Sequence, residues 1–143
     1  EVKDDCQLLL IGEGNQFNDP RIKSLGYVQD EITLRIAYHA ADVLLHPAQV
    51  DNLPNTVAES MSCGTPVLAF KTGGLPEMVI PDKSGWLVGD MNTNAMIKEL
   101  NSILQSNHII ELRESTRENA QVLFNEKKVA DDYIECFNHS LSK

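Results

Sequence analysis

Two carboxylates, Asp51 and Glu59, bracket a segment whose residue types suit the binding of an anion. Pro54 opens a helical pattern that runs to Cys63 and is closed by Gly64, the usual left-handed terminator. The backbone N–H groups of Asn55, Thr56 and Val57 fall in the first turn, where a helix offers them no carbonyl partner. With the positive end of the helix dipole they make an anion site that needs no lysine. Asn55 and Thr56 can add side-chain donors. Glu59 sits about one turn further in, where a carboxylate can accept two hydrogen bonds from a vicinal diol. Asp51, on the preceding loop, can reach a second hydroxylated group. Phosphate in the middle with a carboxylate at each end matches a diphosphate flanked by a ribose and a hexose. The plainer reading leaves Glu59 stabilising the helix start and Asp51 turning the chain, and the residues alone do not choose.

Two further loops can carry chemistry. Gly12, Glu13, Gly14 and Asn15 follow the apolar run Gln7 to Ile11, but a lone GxG also serves any tight strand exit. Lys71 to Glu77 offers Gly73 and Gly74 for close backbone approach and Lys71 as a cation, and a simple turn explains it equally well. His39 and His46 read as a helix residue and a strand-end residue. Cys6, Cys63 and Cys136 are too far apart for a metal or redox motif and read as reduced, partly buried thiols. No pair of acidic residues suggests a metal, and none is expected.

The elements that must position these residues alternate. Gln7 to Ile11, Leu25 to Val28, Asp42 to His46, Pro66 to Phe70 and Trp86 to Val88 read as strands, the first and third of them buried. Helices are expected over Glu31 to Ala40, capped by Asp30, and over Pro54 to Cys63. Three more follow over Thr93 to Leu104, Ile109 to Phe124 and Glu126 to Leu141, with Asn92 or Thr93 and Asn125 as caps. This order predicts one α/β domain over residues 1–143, a Rossmann-like parallel sheet with helices on both faces and a helical C-terminal tail. Ligands of such sheets bind at the carboxyl ends of the strands, where these loops lie.

Net charge is −9, from 21 acidic and 12 basic residues, which disfavours nucleic acid and anionic lipid as partners of this domain. No apolar run reaches the roughly 20 residues of a spanning helix, and no leader pattern marks secretion, so a cytoplasmic setting is expected. The abrupt start in a strand suggests a piece of something longer.

The run DNLPNTVAESMSCGTPVLAFKTGGLPEMV, followed by SGWLV, resembles family-4 glycosyltransferases, the retaining GT-B group. Their pattern is an acidic residue, seven residues, a Glu, a small-Cys-Gly-x-Pro-Val strand and Gly-Gly-x-Pro-Glu. The likeness covers Leu8 to about Val88 closely and is nearest to enzymes of bacterial surface-polysaccharide assembly. It implies that Glu59 binds the ribose hydroxyls of a UDP- or GDP-sugar donor, and that Asp51 contacts hydroxyls of the transferred sugar, acting in catalysis with Glu59. Asn55, Thr56 and Val57 then hold the diphosphate through backbone amides, while Tyr27 and Val28 touch the nucleobase and Gly12 and Gly14 complete the donor pocket. Asp51 stands where the family usually has Glu, which shortens its reach by one methylene. The resemblance implies no cofactor. It also implies an acceptor-binding N-terminal domain, and upstream Arg and Lys residues, outside this chain. That domain would present the hydroxyl acceptor, a glycan or lipid-linked glycan, and the longer enzyme would lie at the inner membrane face. The fragment alone is expected to be inactive. An epimerase of the same fold and a non-catalytic sugar-nucleotide module are the alternatives; the acidic-x7-Glu element argues against the first, and the intact Glu59 and uninterrupted phosphate loop against the second.

Overall fold

The structure, a computed structural model, describes residues 6–13, 17–106 and 108–141. Among these described residues five short strands and six helices follow one another as β1 (Leu8–Leu10), β2 (Ile22–Ser24), α1 (Glu31–Ala40), β3 (Leu44–His46), α2 (Asn55–Ser62), β4 (Val67–Phe70), α3 (Leu75–Met78), β5 (Gly85–Val88), α4 (Thr93–Gln105), α5 (His108–Leu123) and α6 (Glu126–Leu141). Every strand pairing is parallel. β1 pairs with β2, and β3, β4 and β5 form a second sheet with β4 in the centre.

Alternation along β4 builds the core. Successive side chains of a strand point to opposite faces. Val67 and Ala69 accordingly join Val57 and Met61 of α2, Leu75 and Met78 of α3 and Ala120 of α5. Leu68 and Phe70 join Val88 of β5 and Met96 and Ile103 of α4 on the other side. The expected α/β sheet with helices on both faces is therefore present. Among the described residues no helix is long and apolar enough to cross a membrane.

Local signals set the helix ends. Asp30 accepts a hydrogen bond from Thr33 N–H at 2.7 Å, and Asn92 and Asn125 cap α4 and α6 in the same way. Gly64, at φ +76°, ends α2 in a Schellman motif, with Thr65 N–H on Ser60 C=O and Gly64 N–H on Met61 C=O.

Four expectations need correction. The strand expected over Leu25 to Val28 lies earlier, at Ile22–Ser24. Beyond it the ladder continues only through Leu25 N–H on Leu10 C=O and Gly12 N–H on Gly26 C=O, because both glycines turn the chain with positive φ. Neither β1 nor β3 is fully buried: Leu8 and Leu9 are 42% and 37% exposed, with β2 the one strand paired to β1 among the described residues, and Leu44 to His46 are half-buried. Leu75–Met78 forms a short helix where a loop was expected, with Pro near its start and Glu77 in its first turn. Cys63 is partly buried as expected, whereas Cys136 is exposed on α6.

Candidate functional site

α2 presents its first turn at the carboxyl end of β3. Its N-cap is Pro54, which has no side-chain group to satisfy the turn. No acceptor for the N–H of Asn55 or Thr56 lies among the described residues, and both side chains are exposed. Val57 differs from expectation. Its N–H donates to Pro54 C=O at 3.1 Å, in a tightened first turn, and its side chain is fully buried in the core. The open edge of the first turn of α2 therefore consists of Asn55 and Thr56, with Val57 as an anchor.

Asp51 is held from two sides. A Cβ on Gly73 would meet the Asp51 carbonyl oxygen at 1.7 Å, and one on Gly74 would meet the Asn52 carbonyl oxygen at 2.0 Å. Only glycine lets the Gly73–Gly74 turn lie so close to the loop. Thr72 Oγ1 adds a hydrogen bond to Gln49 C=O at 3.0 Å. On the other side His46 Nε2 comes within 3.4 Å of Asp51 Oδ2. That contact is not a hydrogen bond, and Nε2 is buried with no hydrogen-bond partner among the described residues.

Glu59 has one oxygen occupied. Tyr38 Oη donates to Glu59 Oε2 at 3.0 Å across the α1–α2 contact. Burial above all, and then the neighbouring Glu59 carboxylate, pushes the Tyr38 phenol far above its ordinary range, so it stays a neutral donor. Tyr38 is fixed at its backbone as well: its carbonyl accepts from Thr65 Oγ1 at 2.6 Å. Arg113 of α5 locks the end of α1 by donating to the carbonyls of His39 and Ala41.

Gly12, Tyr27 and Val28 form a second group around the Gly12–Gly26 hydrogen bond of 2.8 Å, with Tyr27 72% exposed. Gly14 lies outside the described residues. No hydrogen bond or ion pair among the described residues joins this group to Asp51 or Glu59. The chain connects them instead, from Val28 through the Asp30 cap into α1 and on to Tyr38. Sequence reasoning missed Tyr38 altogether and treated His46 only as the end of a strand. A buried tyrosine hydroxyl needs a partner, which flags Tyr38 but does not name Glu59. Burial likewise raises the Cys63 thiol, which keeps it protonated beside the site.

Parallel strands with helices on both faces, and an uncapped helix start with a carboxylate on either side of it, define an α/β protein with a candidate site suited to an anion. Residues 2–122 match the family model of the group 1 glycosyl transferases, and the chain belongs to that family. It is 31% identical over 91 residues to the GDP-mannose-dependent alpha-mannosyltransferase of Mycolicibacterium smegmatis, an alignment covering 61% of this chain and 24% of that protein. It is 30% identical over 97 residues to the putative colanic acid biosynthesis glycosyltransferase WcaL of Escherichia coli, covering 62% and 24%. Among solved structures it resembles the sucrose-phosphate synthase of Thermosynechococcus elongatus with a TM-score of 0.79 and 28% identity, over 95% of this chain and 39% of that one. The Anabaena protein HepE in complex with UDP shares the fold at a TM-score of 0.74 and 20% identity, over 94% and 42%. The chain thus spans about a quarter to two-fifths of the length of these relatives.

Proposed function

We propose that this chain supplies the donor site for glycosyl transfer from a nucleoside-diphosphate sugar, UDP- or GDP-linked, to a hydroxyl acceptor with retention at the anomeric carbon. The observation that carries the reading is the uncapped start of α2, with Asp51 and Glu59 on either side of it. The N–H groups of Asn55 and Thr56 and the helix dipole hold the diphosphate and stabilise the charge that grows on it as the sugar leaves. Glu59 accepts from the ribose diol, and Asp51 from hydroxyls of the sugar. Tyr27 and Val28 meet the nucleobase, and Gly12 lies beside them. The acceptor, a glycan or lipid-linked glycan of surface-polysaccharide assembly, binds residues outside this chain. The setting is cytoplasmic, and no cofactor takes part. The names of the mannosyltransferase and WcaL, and the UDP bound to HepE, support this reading.

Calorimetric titration of UDP, GDP and their sugars tests it. Asp51→Ala is expected to weaken the sugar nucleotide more than the bare diphosphate, and Glu59→Ala to weaken both. Unchanged affinities in both variants, with the fold intact, would remove the assignment. Product analysis of the longer enzyme reads the anomeric outcome.

A further inference from the structure

Among the described residues, a hydrogen bond from another helix sets the aim of Glu59 and not of Asp51, and we infer that Tyr38 is a positioning residue for the ribose contact. The inference rests on the reading of Glu59 as the diol acceptor. Tyr38 sits on α1, 21 residues before Glu59, and is 7% exposed. Its hydroxyl takes Glu59 Oε2 at 3.0 Å, while Glu59 as a whole remains exposed.

A carboxylate on an exposed helix face has several rotamers of similar energy, and a ligand must select one. The Tyr38 hydroxyl selects it beforehand. One oxygen is tethered to the protein, and the other stays free to accept from a diol. A neutral donor does this without cancelling the negative charge, as lysine or arginine in its place would. The phenol itself cannot wander. Thr65 Oγ1 bonds the Tyr38 carbonyl at 2.6 Å, and Thr65 N–H and Ser60 Oγ tie the same loop to α2. Arg113 holds the carbonyls of His39 and Ala41, on either side of Ala40 at the end of the same helix. The hydroxyl is thus fixed to the frame that carries Glu59.

Tyr38→Phe removes that hydroxyl and keeps the ring in the core. The test compares UDP with 2′,3′-dideoxy-UDP, or the guanosine pair where the wild type prefers it, by calorimetry on wild type, Tyr38→Phe and Glu59→Gln. Tyr38→Phe is expected to weaken UDP about tenfold, the loss of one hydrogen bond to a charged group, and to leave the dideoxy compound unchanged. In the wild type, the Tyr38 Cζ resonance of 13C-labelled protein is expected to move with UDP and not with the dideoxy analogue. This measurement stands even if the variant folds poorly. Equal weakening of both ligands by Tyr38→Phe would mean a merely structural residue and overturn the inference. UDP binding unaffected by Tyr38→Phe but weakened by Glu59→Gln would overturn it while sparing the donor-site reading. UDP binding unaffected by Glu59→Gln, or absent from the wild type, would remove that reading and this inference together.

Discussion

Gly73 has no room for a side chain. Its φ of +51° lies in the left-handed region, and an added Cβ would meet the Asp51 carbonyl oxygen at 1.7 Å. Gly73→Ala must therefore shift the loop that carries Asp51, at a cost of about 2 kcal/mol or more from backbone strain and crowding. Gly85 is equally tight, with a Cβ 2.0 Å from the Val67 carbonyl oxygen, but it begins β5, at the opposite end of the strands from the site. Urea melts should show both variants destabilised. Under conditions where both are folded, only Gly73→Ala should lose affinity for a UDP- or GDP-sugar, and equal losses would argue against a site on the Asp51 loop. In the sequence, Gly73 and Gly74 can equally bring backbone amides to a ligand or make a turn. What they approach is the chain itself, 22 residues earlier for each, and a local pattern has no means of naming so distant a neighbour.

Among the elements, α2 carries opposing demands. Its first turn holds no acidic residue and no side-chain cap, so its positive end stays open. Asn55→Asp adds a negative charge there with almost no change in shape. Helix stability should rise by about 0.3–1 kcal/mol, while affinity for UDP falls, and the fall should shrink as salt is added. Thermal melts and titrations at two ionic strengths would read both signs, and a variant that gained stability without losing affinity would count against phosphate at this turn. The cap of α1 is the contrasting case. Hydrogen bonds from the Thr33 hydroxyl, and then its N–H, hold the Asp30 carboxyl below its ordinary 3.8. A depressed carboxylate adds stability that is present above the unfolded value and lost as pH falls through the folded one. Asp30→Ala should therefore melt below wild type at pH 7, with the gap closing in acid. Asp30→Asn should keep the cap and lose the pH dependence. α1 and α6 match their expected bounds because caps and helical period are local properties. β2 and α3 escaped the same reading, since three- and four-residue elements are too short to display a period, and glycines blur the strand's end.

At the scale of the molecule, apolar side chains divide into those the fold uses and those it leaves bare. Leu68, on central β4, is fully buried among Phe70, Val88, Met96 and Ile103. Val129, Tyr133 and Phe137 recur every fourth residue and form an apolar stripe on α6, yet Phe137 is 66% exposed, as α6 buries no residue. The sequence presents the two alike, because an apolar stripe shows that a face suits burial and says nothing of what arrives to cover it. The same holds for β1, whose apolar run reads as buried and is not. The expectation for the centre was sound because β4 pairs on both edges, with β3 and β5, while α2 and α3 cover one of its faces and α4 the other. Energetics should separate the two classes in this chain. Leu68→Ala removes side-chain volume from a packed site and should cost roughly 2–5 kcal/mol. Phe137→Ala removes a larger side chain and should change stability by about 0.5 kcal/mol or less. Urea denaturation of the chain measures both. A large loss for Phe137→Ala would mean that α6 packs on the domain more closely than its exposure indicates, whereas near-neutrality would place its stripe outside the forces that hold this fold together.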